Sequence, residues 1–295
     1  MILIVTMANH RYTHQSLEEE EADLELRVIS YSELFNYSGA RPVATYVFTD
    51  FDRLAGFALD RAALLYRELR DQGSTVLNDP ALALGRFGLL RAMNRAGINM
   101  FDAYRVDSLE KPSSWPVFLR VEGDHGVPVS GLIDTQEELN SALESSLRDG
   151  VPRSMSVIVE YAAEPVRPGL FRKLSAFRIG DRMIGCTCVH DDQWLVKYGK
   201  PGIATPELYE EEYDFIASNP FEETLRPVFD IAGVDYGRVD FGLVAGRPQI
   251  YEINTNPDIK LRPPPGDVQR RNDSVDLFRK NYLDAMRAIL APLDG

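Results

Sequence analysis

The chain has 295 residues, 44% hydrophobic and 26% charged, with two cysteines, Cys186 and Cys188. This is ordinary globular composition for about two domains, and it excludes a disordered chain, a collagen and a disulfide-stapled scaffold. Thirty-two basic residues against 45 acidic ones leave a net charge of −13, so no global basic field would hold nucleic acid or an anionic membrane.

The opening MILIVTMA is apolar but short and lacks a basic flank, so it does not read as a signal peptide, and no later run approaches the ~18 residues of a membrane span. With the sparse cysteines, a cytoplasmic location is expected. Ile2–Thr6 is a β-branched run suited to a buried strand. Asn9 to His14 reads as a polar loop, where His10 and His14 could touch a substrate. Ser16 then looks like the cap of a helix whose glutamates, Glu18 to Glu21, face solvent. Strands at Val43–Phe48 and Thr75–Leu77 flank a helix over Ala55–Arg70, the spacing of a small parallel α/β unit. A helix over Leu82–Ala96 follows, then strands at Phe101–Val106, Trp115–Val121 and Met155–Val159, with a helix over Thr135–Leu147 between the last two. Beyond Glu160 come a strand pair (Leu174–Ile179, Arg182–Val189), helices over Pro206–Ser218 and Glu222–Ala232, a hairpin, and a terminal helix over Ser274–Leu290. Three blocks result: 1–78, 79–159 and 160–295.

The most informative stretch runs Gly237-Arg-Val-Asp-Phe-Gly-Leu-Val-Ala-Gly-Arg-Pro-Gln-Ile-Tyr-Glu-Ile-Asn-Thr-Asn-Pro257. It reads as two strands turning at Gly246. Arg238 and Asp240 share one face of the first strand, and Glu252 and Asn254 share one face of the second. A three-residue loop, Ala245–Arg247, would set Asp240 opposite Glu252 and Arg238 opposite Asn254. A two-residue loop would split the pairs between faces unless a bulge intervenes. In the convergent register, two carboxylates and an amide oxygen suit Mg²⁺ held jointly with phosphates. A solvent-facing polar row is the alternative.

Arg-Val-Asp-Phe followed by Tyr-Glu-Ile-Asn-Thr-Asn-Pro resembles the metal-binding end of the ATP-grasp superfamily, which includes D-alanine–D-alanine ligase, glutathione synthetase and the ribosomal-protein glutamate ligases. The resemblance covers roughly 76–260. It implies an ATP-grasp architecture of mixed α/β and α+β class. A small parallel α/β domain (1–78) would precede a central ATP-binding subdomain (79–159) and a C-terminal subdomain bearing the metal site (160–295), the last two enclosing the nucleotide. Asp240, Glu252 and Asn254 would hold two Mg²⁺, with Mn²⁺ as a substitute, and Arg238 would stabilise the acyl-phosphate and the tetrahedral intermediate. Trp115-Pro-Val-Phe-Leu-Arg120 with Gly123 to Gly126 is similar to the strand and glycine loop over the phosphates, which makes His125 a candidate contact. Val157-Ile-Val-Glu160 resembles the hinge that reads adenine through its backbone, at Glu160 and Ala163. Glu164 is the nearest acidic residue for the ribose, and Lys197 could reach the γ-phosphate. The family's two phosphate-reading lysines are replaced here by Arg86 and Arg120. Both keep a cation in place, with a bidentate fork that lysine lacks.

The implied activity is a ligase that uses ATP to join a carboxylate to an amine, releasing ADP and phosphate. A kinase that stops at phosphate transfer and a non-catalytic nucleotide-binding module are the rivals. Expected partners are small-molecule carboxylates and amines, amino acids or a peptide among them, with a homodimer left open and neither nucleic acid nor membrane.

Overall fold

The computed structural model describes residues 1–124, 126–259, 261 and 268–290. The first sheet is parallel, in the order β2-β1-β3-β4, built from β1 (Ile2–Thr6), β2 (Leu26–Ser30), β3 (Thr45–Phe48) and β4 (Thr75–Leu77). Every residue of β1 and β3 is buried, as expected of parallel strands covered on both faces. Alternate residues of β1 divide between two cores. Leu3 and Val5 pack with α2 (Tyr31–Asn36) and α3 (Gly56–Asp71), whereas Ile2 and Ile4 join the large core of the C-terminal half.

Two local expectations need correction. A 3-10 turn over Ala8–His10 and α1 (Tyr12–Glu20) occupy the supposed loop, so Ser16 lies inside the helix and caps nothing. Thr13, His14 and Leu17 are buried together, and this partly polar anchoring stripe hides the helical period. The strand β2 and helix α2 come from a stretch that the periodicity passes over. Their signal is Ser30-x-x-Glu33, a full capping box in which each side chain bonds the other's backbone N–H.

The second sheet, antiparallel in the order β5-β7-β6, comprises β5 (Ala103–Arg105), β6 (Val117–Val121) and β7 (Ser156–Glu160). It carries α4 (Gly85–Arg95) and α5 (Gln136–Arg148), the latter capped by Thr135. The third sheet, β11-β10-β8-β9, is antiparallel and contains β8 (Phe171–Ile179), β9 (Arg182–Asp191), β10 (Tyr236–Val244) and β11 (Arg247–Asn254). Helices α6 (Pro206–Ser218), α7 (Glu222–Ala232) and α8 (Gln269–Ala288) cover it. No helix among the described residues is long and apolar enough to cross a membrane. The proline run Pro263 to Pro265 lies outside the described residues.

The β10–β11 turn has two residues, not three: Val244 pairs with Arg247, and Ala245 and Gly246 both have positive φ (49° and 75°). That is the backbone of a tight hairpin turn whose twist matches the strands. Left alone it would place Asp240 opposite Tyr251. A bulge between Asp240 and Phe241 absorbs Tyr251 and restores Asp240 opposite Glu252 and Arg238 opposite Asn254.

Candidate active site

A cleft runs between the second and third sheets. Phe118, Tyr161 and Trp194 line one part of it, with ring centroids 5.0 Å apart for Phe118–Trp194 and 5.6 Å for Tyr161–Trp194. Tyr251 lies across Gly242, where an added Cβ would overlap its hydroxyl, and donates to the Ala162 carbonyl at 3.0 Å. The bulge residue thus braces the hinge.

Residues Glu160 to Ala163 line the cleft. The Glu160 carboxylate is turned elsewhere and accepts from Ser113 N–H and Oγ, Ser114 N–H, the Tyr104 hydroxyl and Asp102 N–H at 2.7–3.0 Å. Burial raises its pKa, but these hydrogen bonds outweigh that and hold it below the ordinary carboxylate range. Glu160 therefore has only its backbone to offer a base. The Glu164 Oε2 accepts the Ala245 N–H at 2.5 Å and holds the hairpin turn.

Asp240 and Glu252 both line the cleft, and each already faces cations. Asp240, 3% exposed, is gripped by Arg238 (Nε to Oδ1 2.9 Å, Nη2 to Oδ2 3.4 Å) and by Lys173 (3.0 Å). Glu252 accepts from Arg86 at 2.9 Å, with Arg120 at 3.9 Å. The two arginines also hold the glycine turn: Arg86 donates to the Asp124 carbonyl (2.7 Å) and Arg120 to the Gly126 carbonyl (3.0 Å). Burial and the neighbouring Arg86 lower the Arg120 pKa to about 10, which still leaves it charged at neutral pH. Burial works against the Arg238 charge, but Asp240 more than compensates and raises its pKa.

Arg238 and Asn254 sit one alternate position along from the carboxylate pair. The Asn254 Oδ1 accepts the Asn256 N–H at 2.9 Å, and an amide oxygen has a second lone pair to offer. Two hard carboxylates facing each other, with an amide oxygen beside them, fit Mg²⁺ by donor type. A metal there would share or take over oxygens now held by Arg86 and Lys173.

Lys197 lines the cleft, its Nζ 5.8 Å from the Tyr198 ring. His125 lies outside the described residues. Lys173 is a residue that sequence reasoning could not single out. Arg172 turns instead to Glu211, and Arg178 to Asp230 and Asp235. The signal was alternation: Ser175 pairs with Asp240, so Lys173, two residues away, shares its face. Cys186 and Cys188 are buried; burial pushes the Cys186 thiol up to about 12 and the Cys188 thiol well above its usual value, so as thiols neither is a nucleophile at neutral pH.

A second cluster stands at the carboxyl ends of β1 and β3, the switch point of the parallel sheet, where open α/β sheets bind ligands. Asp50, fully buried and at φ 58°, takes His10 Nδ1 at 2.7 Å, the Met7 N–H at 3.3 Å and the Arg53 guanidinium. Its own N–H reaches Thr255 Oγ1 at 3.1 Å, just past β11. His14 is not at the surface. Its Nε2 meets the Tyr236 hydroxyl at 2.7 Å, Tyr236 meets Tyr282 at 2.7 Å, and its Nδ1 meets Thr13 Oγ1, which contacts Asn256 Oδ1, both at 2.9 Å. Burial lowers the His14 pKa to about 3, so the ring is neutral, and the chain of bonds ties α1, β10 and α8 to the turn after Asn254.

No family model matches the chain, and no curated protein does. Solved structures do. D-alanine–D-alanine ligase from Bacillus anthracis complexed with ATP is similar over 98% of both chains, with 12% identity and a TM-score of 0.54. A second structure of that ligase covers 98% of this chain and 97% of its own, again at 12% identity, with a TM-score of 0.55. A RimK domain protein ATP-grasp from Sphaerobacter thermophilus is 15% identical over 95% of this chain and 99% of its own, at a TM-score of 0.49. At such identities the first two likenesses establish the fold and nothing finer.

Proposed function

We propose that this chain, whose fold is ATP-grasp, is an ATP-dependent ligase that joins a carboxylate to an amine through an acyl-phosphate, releasing ADP and phosphate. One observation carries the reading. Asp240 and Glu252 face each other across β10 and β11 in the same cleft as the aromatic wall and the hinge backbone. A planar base would lie against Phe118, Tyr161 and Trp194, its edge read by the backbone of residues 160–163. Arg86, Arg120 and Lys197 would meet the phosphates. Asp240, Glu252 and Asn254 would hold two Mg²⁺, which supply charge neutralisation at the β- and γ-phosphates.

Arg238, oriented by Asp240, would stabilise charge developing on the acyl-phosphate and on the tetrahedral species formed by the amine. The His10–Asp50–Arg53 cluster, joined to Thr255, would position a charged substrate at the parallel sheet's edge. Division at residues 78 and 159 belongs to the same proposal, with 1–78 shaping the substrate end and the remainder enclosing the nucleotide. A second reading, a nucleotide-binding module without turnover, is favoured by the ion pairs that already neutralise both carboxylates.

The test is incubation with Mg-ATP and pooled amino acids, reading phosphate release and product masses. Amine-dependent phosphate release with an amide-mass product supports the ligase. A phosphorylated product formed without amine means a kinase. Tight ATP binding with no turnover across amino-acid and dipeptide panels means the module.

A further inference from the structure

We propose that Cys188, His190 and Glu211 form a binding site for one zinc-class divalent cation, separate from the carboxylate pair of the cleft. Cys188 and His190 alternate on β9 and so project from one face, where α6 presents Glu211. A sulfur, a ring nitrogen and a carboxylate oxygen from the three lie within 4.8 Å of one another. A tetrahedral zinc with legs of ~2.0–2.3 Å wants its ligands ~3.3–3.8 Å apart, so the site closes with a shift of about an ångström. Glu211, the most exposed of the three, can supply that shift by a change of rotamer.

A second observation points to a missing ligand. His190 is 3% exposed, and its Nε2 is buried without a hydrogen-bond partner, 3.5 Å from Glu211 Oε2. Buried polar atoms rarely stay unsatisfied, and a cation between imidazole and carboxylate would satisfy both. The surroundings already hold the ligands. Arg172 takes Glu211 Oε1 and leaves Oε2 facing His190, and Glu212 accepts the Cys188 backbone N–H at 3.1 Å. Such outer contacts orient metal ligands.

Glu211 and Glu212 offset Arg172 and Arg271, so a dication with a Cys188 thiolate would add a single net positive charge. Cys188 and His190 also line a surface cleft with Lys200 and Ala204, which gives access. Sulfur and imidazole select zinc or cobalt over the Mg²⁺ expected at Asp240 and Glu252, and three protein ligands leave a fourth position for water.

The test uses the full chain, stripped with chelator and kept in saturating Mg²⁺. Titration with Co²⁺ should give one equivalent bound, with a thiolate-to-cobalt charge-transfer band that Zn²⁺ abolishes. Cys188→Ser should remove the band and weaken Zn²⁺ binding at least tenfold. Glu211→Gln, at a partly exposed position that spares the core, should weaken it severalfold. Asp240→Asn should leave the band intact. No band, or unchanged Zn²⁺ affinity in Cys188→Ser, overturns the site. So does loss of cobalt binding in Asp240→Asn alone, which would place the ion at the carboxylate pair.

Discussion

Arg120 is the side chain on which the proposed nucleotide chemistry turns most directly, because it is buried, charged and aimed at the same carboxylate as Arg86. Arg120→Ala should weaken binding of a non-hydrolysable ATP analogue by ~1.5–3 kcal/mol, the range for a hydrogen bond to a charged group. Arg120→Lys should recover much of the loss, since an ammonium still meets phosphate as a point charge. Calorimetry decides, and unchanged affinity in the alanine variant removes Arg120 from the site. Glu252→Gln should lose most of the Mg²⁺-dependent rate while ATP binding falls less, because the hinge that would read the base is distant in sequence. A steady-state Mg²⁺ titration with wild-type turnover would rule the pair out as metal ligands. His14 makes a different, pH-dependent contribution. Its folded pKa of about 3 lies below the ordinary 6.5. Below pH 6.5 the unfolded chain therefore takes up a proton that the folded chain refuses. Stability is full above pH 6.5 and falls as the pH drops from there toward 3, by ~1.4 kcal/mol per unit from this group. Urea midpoints measured from pH 7 to 5 should show that slope, and His14→Gln should flatten it. Parallel slopes in the two proteins would assign the pH dependence to other groups.

The decisive feature among the elements is the β10–β11 hairpin. Its side chains were legible as a polar row, yet two routes could bring them to one face, and local pattern could not choose between them. The chain takes the bulge, and packing explains why: the extra residue, Tyr251, crosses Gly242 to bond the hinge at Ala162. Register and hinge position are therefore set by one residue. Gly242→Ala forces the ring aside, and overpacking of this kind costs ~1–3 kcal/mol. The expected result is a lower melting temperature together with weaker binding of the ATP analogue. Tyr251→Phe, which keeps the ring and loses only the hydroxyl, should be milder on both counts. If Gly242→Ala melts early but binds normally, the brace is structural and does not shape the cleft. A similar close approach exists at Gly185, where a Cβ would stand 2.7 Å from the Phe215 carbonyl of α6; helix and strand meet there backbone to backbone.

Across the whole molecule the first and third sheets are tied together by side chains that serve two blocks at once. Ile2, Ile4 and Val47 of the parallel sheet pack in the same core as Phe177, Tyr236 and Tyr282. Asn78 bridges Phe48 and Tyr236 by donating its Nδ2 to both carbonyls at 2.8 Å. The polar cluster around Asp50 and the carboxylate pair are linked through Thr255 and Asn256. If the chain performs the proposed ligation, turnover yields ADP and phosphate in step with product, because the metals would sit across the β- and γ-phosphates. Pyrophosphate and AMP in stoichiometry with product would overturn the acyl-phosphate route.

The amino-acid sequence by itself determined β1, β3, α3 and β4, the later hairpins, and the row Arg238, Asp240, Glu252, Asn254. These are local patterns, of period two or about 3.6, written in consecutive residues. It also carried Ser30-x-x-Glu33, an unread signal for β2 and α2. Partner choice was decided only when the chain was packed. Alternation tells which face a side chain takes, but not what stands across from it. So Lys173 could not be told from Arg172 and Arg178, nor Glu160 recognised as a carboxylate spent on β5 and the 113–114 turn. The left-handed Asp50 and the neutral, buried His14 follow from contacts more than forty residues away in sequence. Long-range burial and electrostatics, which no window of neighbouring residues encodes, made those assignments.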